Sequence, residues 1–208
     1  MMPSIKLTYF DSPGRAEPLR IALFLSKISF EDQRIEFPEF VALKTQGAFP
    51  LGSVPVLDVD GILFTQTAAM LRYVARLGSD DLYPTDPLAA FRVDSVLDSF
   101  NDTLSNALMP SFFERDMTKK LEMRAALIEG PLRLVLSYAE KAVELSGGPF
   151  VAGSQLTIAD LVVAQQLVAI QKGVLDGISA EVLVPYPRLR ALVDAYLTHP
   201  GVVSYFDR

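Results

Sequence analysis

Val54-Pro55-Val56-Leu57-Asp58-Val59-Asp60-Gly61-Ile62-Leu63-Phe64-Thr65-Gln66-Thr67 reads as a strand, a tight turn, a returning strand and the opening of a helix. Val56 to Val59 is rich in the branched residues that favour extended backbone. Asp60-Gly61 supplies the positive φ that a two-residue hairpin turn needs. Pro55 is out of place at the start of a central strand, because it donates no ladder hydrogen bond. A trans bond at a strand edge is the ordinary reading, since only about 5–6% of X-Pro bonds are cis. A cis bond would instead turn the Val54 backbone outward, where an extended peptide can pair with it as an added strand. Thr67 reads either as a helix N-cap or, with Gln66, as part of an anion site at unpaired backbone N–H groups.

Upstream, Ile5-Lys6-Leu7-Thr8-Tyr9 alternates apolar and polar residues as a strand does. Asp11-Ser12-Pro13-Gly14 is a turn. A helix is expected from Arg15 to Lys27, with Leu19, Ala22 and Leu23 on its apolar face and Pro18 in its opening turn. Phe30 to Phe37 reads as a second strand, and Lys44 falls in a polar, irregular stretch before Val54. This order makes residues 1–79 a small α/β unit of thioredoxin type. Residues 80–87 form a polar, proline-bearing linker.

From residue 88 to 208 the periodicity is helical. One stripe holds Phe91, Val93, Val96, Leu97, Phe100 and Leu104. A second holds Leu127, Leu132, Leu134, Val135, Leu136 and Ala139, and its helix ends at Gly147-Gly148-Pro149. Thr157-Ile158-Ala159-Asp160 is a capping-box start. A closing helix covers Pro187 to Thr198. The fold class is therefore a thioredoxin-like α/β domain followed by an all-α domain.

Composition limits the chemistry. Of 208 residues half are apolar, and the formal net charge is −6, which disfavours a broad grip on nucleic acid or an anionic membrane. There is no cysteine and one histidine, so thiolate metal sites, a cysteine nucleophile and a Ser-His-Asp triad are poorly supported. His199 reads as a last-turn cation before Pro200-Gly201. No metal is expected. Met1-Met2-Pro3-Ser4 opens without an apolar run, and the expectation is a cytoplasmic protein without membrane insertion.

Lys6-Leu7-Thr8-Tyr9-Phe10 and Gly14-Arg15-Ala16-Glu17-Pro18 resemble the opening of a cytosolic glutathione transferase. Val54 to Gly61, Thr65-Gln66-Thr67 and Leu156 to Asp160 resemble that family's further motifs, in order and spacing, over essentially the whole chain. The likeness is to the tyrosine-type, sigma-like branch. It implies glutathione as cosubstrate, an apolar electrophile as acceptor, a role in detoxification and a homodimer. It also implies that Tyr9 is catalytic and donates its hydroxyl to the glutathione sulfur, with Ser12 as the rival activator. Val54 would pair with the cysteinyl unit beside a cis Pro55, with Gly52 and Ser53 lining the approach. Gln66 and Thr67 would take the γ-glutamyl carboxylate, and Arg15, Phe40 and Lys44 would surround the glycyl end. Asp102 would reach the glutamyl amine bound in the partner subunit.

The acceptor would meet Phe10, Met109, Phe112 and Phe113, residues whose alternative is plain core packing. Phe49 or Leu51 reads as an intersubunit plug or as a cover for the sheet edge. Phe40 stands where sigma-like relatives often carry tryptophan, and Ser53 where some carry lysine or glutamine. Two other activities fit the same resemblance: a glutathione-dependent isomerase (such as a prostaglandin D synthase) or peroxidase, and a non-enzymatic crystallin or ligand carrier.

Overall fold

The structure is a computed structural model and describes residues 2–78 and 82–208. The chain divides into two compact units, Met1–Asp80 and Asp81–Arg208. The boundary expected at residues 79 and 80 lies outside the described residues, as does the start of the expected linker.

The first unit is built on a four-stranded sheet of order β2-β1-β3-β4. Strand β1 (Ile5–Phe10) is followed by a 3-10 turn (Gly14–Ala16) and helix α1 (Glu17–Leu25). Strand β2 (Glu31–Ile35) then lies parallel to β1, with Lys6 opposite Glu31 and Phe10 opposite Ile35. A parallel pair needs such a crossover, and α1 supplies it. Strands β3 (Val56–Val59) and β4 (Ile62–Phe64) form the expected hairpin, and β3 runs antiparallel to β1. Helix α3 (Thr67–Leu77) packs beside α1. Leu7, Leu19, Ile21, Leu23, Leu57, Met70 and Leu71 are fully buried in this unit.

Four expectations change in this unit. The polar stretch before Val54 contains a helix, α2 (Phe37–Thr45). Its apolar residues are mixed with Glu39, Lys44 and Thr45 around the helix, so it lacks the clean apolar stripe by which a helix is read from sequence, and none of its residues is fully buried. Phe40 and Leu43 rest half-covered on a cluster of Ile35, Phe49 and Val56, while Phe37 and Val41 face outward. The second strand pairs only from Glu31 to Ile35, and the third begins at Val56, so Val54 and Pro55 lie before the ladder. The N-cap of α3 is Gln66, and Thr67 is its first helical residue.

The second unit is helical: α4 (Pro87–Asp98), α5 (Asn106–Phe113), α6 (Met117–Leu127), α7 (Arg133–Ser146), α8 (Ile158–Gln171), α9 (Pro187–Thr198) and α10 (Pro200–Phe206). Nine of the fourteen residues of α8 are buried, and α4 and α9 pack against it. The capping box forms: Asp160 accepts from the Thr157 backbone N–H at 2.8 Å and from its hydroxyl at 2.6 Å. Burial pushes the Asp160 carboxyl up to about 6.

The expected stripe from Phe91 to Leu104 is interrupted by a π-helical segment, Ser99–Ser105, between α4 and α5. Phe91 and Leu134 are exposed, whereas the other residues of their stripes are buried. His199 does not act as a last-turn cation. Its Nδ1 accepts from the Gly201 N–H at 3.2 Å, which requires that nitrogen to be unprotonated, and it thereby caps α10.

Candidate active site

Tyr9 is the fifth residue of the six-residue strand β1, and its ring is buried. Its hydroxyl oxygen accepts the Arg15 backbone N–H at 3.2 Å. That donor belongs to the 3-10 turn leading into α1. Backbone N–H groups at such a helix entry have no partner within the helix. The bond uses an oxygen lone pair and leaves the hydroxyl's own proton to be given to a further acceptor. Gly14 makes the approach possible. Its φ is +41°, and a Cβ built there would lie 2.5 Å from Tyr9 Oη and 2.8 Å from Cε1. Ser12 is exposed; its backbone N–H donates to the Phe10 carbonyl at 2.8 Å.

Just before β3, the neighbour of β1, the Val54–Pro55 peptide is cis. Val54 is half-buried against the Phe40 and Phe49 cluster, and Pro55 is buried. The Lys44 ammonium lies 5.8 Å from the centre of the Phe40 ring. The Lys44 side chain also crosses Gly52, where a Cβ would come within 3.3 Å of Lys44 Cε. The structure therefore brings Phe40, Lys44 and Gly52 together, with Ser53 exposed beside them in sequence. Gln66 has φ +76°, an uncommon value for a residue with a side chain, and sits exposed at the N-terminus of α3 next to half-buried Thr67.

Residues 5–76 match the sequence profile of the glutathione S-transferase N-terminal domain, and residues 101–208 match that of the C-terminal domain. The chain belongs to the glutathione S-transferase family. Its enzyme class is accordingly glutathione transferase. It is 33% identical over 183 residues to glutathione S-transferase 1 of Ascaris suum, covering 86% of this chain and 85% of that protein. It is 31% identical over 210 residues to S-crystallin SL11 of Nototodarus sloanii, covering 100% of this chain and 97% of that one. The solved prostaglandin synthase D of Nilaparvata lugens superposes with a TM-score of 0.83 at 26% identity, over 99% of this chain and 98% of that one.

In this glutathione S-transferase, Asp102 is exposed on the π-helical segment. Such segments recur at functional sites. Met109 is half-buried on α5, while Phe112 and Phe113 are exposed there, so core packing does not explain those two rings. The Arg124 guanidinium lies 5.5 Å from the Phe112 ring centre. Phe10 is edge-on to Tyr9 at 5.4 Å and stacks on exposed Phe37 at 6.4 Å. Phe49 is 8% exposed, stacked on Phe40 and clustered with Ile35 and Val56, whereas Leu51 is 62% exposed.

Sequence reasoning passed over three residues at this site. Gly14 was legible as a turn glycine and as part of a family motif, not as the neighbour of the Tyr9 hydroxyl. Phe37 looked like a strand end. Arg20 was, with Glu17, one of two charged residues in an otherwise apolar helix. That last feature was a usable signal, because a charge on a buried helix face needs partners. Among the described residues no group of three or more metal-ligating side chains comes together, and no helix is long and apolar enough to cross a membrane.

Proposed function

We propose that this glutathione S-transferase joins the glutathione sulfur to apolar electrophiles, with the Tyr9 hydroxyl holding that sulfur as a thiolate. The observation that carries this reading is the Tyr9 oxygen accepting the Arg15 N–H at 3.2 Å. A phenol that accepts one hydrogen bond is polarised toward giving another. Its proton is then available to the sulfur.

The magnitudes suffice. A free thiol has a pKa near 8.5, so only about 3% is thiolate at pH 7. A drop of about two units needs roughly 2.7 kcal/mol in favour of the anion. A hydrogen bond to a charged group contributes about 1.5–3 kcal/mol, and a helix N-terminus about 0.3–1 kcal/mol. The thiol proton leaves to solvent, the thiolate forms a C–S bond, and the leaving group departs with its bonding pair.

The rest of the tripeptide follows the resemblance. Val54 pairs with the cysteinyl unit, lined by Gly52 and Ser53 and beside Pro55. Gln66 and Thr67 take the γ-glutamyl carboxylate at the start of α3, where unpaired N–H groups favour an anion. Arg15, Phe40 and Lys44 surround the glycyl end. Phe10, Met109 and Phe112 meet the acceptor, in keeping with the exposure of Phe112. Asp102 reaches the glutathione amine bound in a second copy of the chain, which makes the protein a homodimer. Exposed Ile62 and Phe64 on the edge strand β4 support self-association. The two domains take the extents 1–79 and 88–208. The S-crystallin match supports placement in the sigma-like branch. A cytoplasmic role in detoxification completes the reading.

The likeness to a prostaglandin synthase D favours a second reading, a glutathione-dependent isomerase sharing the same thiolate site. The test has two parts. Bound glutathione is titrated by ultraviolet absorbance in the native protein and in Tyr9→Phe, where the thiol pKa should rise toward its free value. A panel of electrophile, peroxide and endoperoxide substrates then separates the activities. An unchanged thiol pKa in Tyr9→Phe would remove Tyr9 as the activator.

A further inference from the structure

Arg20, the fourth residue of α1, is among the largest fully buried side chains of the described residues, with 0% exposure. An ionised group there persists only with compensating bonds. Its Nε donates to both Asp32 oxygens at 3.1 Å. Its Nη1 donates to the Ser12 carbonyl at 2.8 Å and to Glu17 at 3.3 Å, and its Nη2 to the Phe10 carbonyl at 3.4 Å. The guanidinium carbon also lies 6.0 Å from the Tyr9 ring centre.

Two of these contacts fall on the backbone between Tyr9 and Gly14. Phe10 directly follows Tyr9, and Ser12 precedes the turn that presents the Arg15 N–H. One rigid fork therefore grips both sides of Asp11. Asp32 sets the fork's angle from strand β2, and Arg34 binds that same carboxylate at 3.0 Å and Asp11 at 2.6 Å.

We propose that Arg20 is a positioning residue for the thiolate site, acting by fixing the loop that brings the Arg15 N–H and Gly14 against the Tyr9 hydroxyl. The proposal rests on Tyr9 being the activator. Lysine cannot substitute. Its ammonium carries a charge but no planar fork, so it cannot hold Asp32 and two carbonyls at once. A loop shift of a few tenths of an ångström lengthens the Arg15 bond beyond useful range. The sulfur-holding hydroxyl then loses its polarising partner, while the contacts of Val54, Gln66 and Thr67 with the tripeptide, which lie outside that loop, stay in place.

The experiment compares native protein, Arg20→Lys, Asp32→Asn and Tyr9→Phe. It reads the pKa of bound glutathione thiol, kcat and the KM for glutathione toward one aryl halide, and the melting temperature. Arg20→Lys should raise the bound thiol pKa by about one unit and lower kcat about tenfold, with the glutathione KM within about twofold of native. Asp32→Asn should move both in the same direction by about half as much on a logarithmic scale. A folded Arg20→Lys with native thiol pKa and kcat overturns the proposal. If Arg20→Lys does not fold, a native thiol pKa in Asp32→Asn overturns it. Tyr9→Phe separates the two ideas: no shift there fails the activator reading, whereas a shift there with none in the Arg20 and Asp32 variants fails this one alone.

Discussion

The Tyr9 hydroxyl occupies the space that a side chain on Gly14 would fill: a Cβ there would lie 2.5 Å from the phenol oxygen, well inside contact distance. The same glycine has a φ of +41°, which side chains disfavour. Steric room and backbone conformation thus select glycine independently at one position.

Gly14→Ala should therefore displace the Tyr9 ring rather than the glycine backbone alone. The expected result is a fall in kcat/KM of tenfold or more, with a rise in the bound thiol pKa and a lower melting temperature. Steady-state kinetics with ultraviolet titration of bound glutathione checks it. Activity within twofold of native would show that Tyr9 does not act from this position.

Asp160 gives the fold a signed pH dependence. Its carboxyl is raised by burial to about 6, above the ordinary value of 3.8. The folded state then binds more protons than the unfolded state between these values. The Asp160 contribution is fully present below about pH 4, declines as pH rises toward 6, and is constant above that. The span corresponds to roughly 3 kcal/mol. Urea unfolding of native protein and Asp160→Asn at several pH values should show the variant losing this slope. Parallel curves would count against it.

His199 acts with the opposite sign. Partial burial lowers its pKa, so the neutral form that caps α10 is favoured in the fold. The contribution is present above the ordinary value near 6.5 and is lost as pH falls through the depressed one. His199→Ala should cost about 1 kcal/mol at pH 7.5, as loss of an N-cap does, and much less at pH 5. Thermal melts at the two pH values measure the difference, and an equal loss at both would remove the capping role.

Asp102 separates binding from chemistry. Asp102→Ala should raise the KM for glutathione about tenfold, in line with loss of one charge-assisted hydrogen bond, and leave the bound thiol pKa unchanged. In Phe64→Asp, sedimentation should report a monomer with the same weakened glutathione binding. A dimeric Phe64→Asp would exclude β4 from the interface.

The first unit was legible because its strands alternate and its turns carry their own chemistry. Asp60-Gly61, Thr157 to Asp160 and the apolar stripes of α4 and α7 all state their structure over a few residues. Helix α2 was hidden because apolar residues are mixed with Glu39, Lys44 and Thr45 around it instead of gathering on one face. Phe91 and Leu134 misled for a different reason, since an apolar residue at the right spacing still has to meet a neighbour. Sequence by itself determined the fold class, the order of elements and Tyr9 as a candidate, because those follow from local pattern and family motif. Only the tertiary structure decided that Gly14 makes room for the phenol, that Arg20 grips the loop beyond it, and that Phe49 turns inward while Leu51 stays out. Each of these depends on the distance between atoms far apart in bonding, which local sequence does not encode.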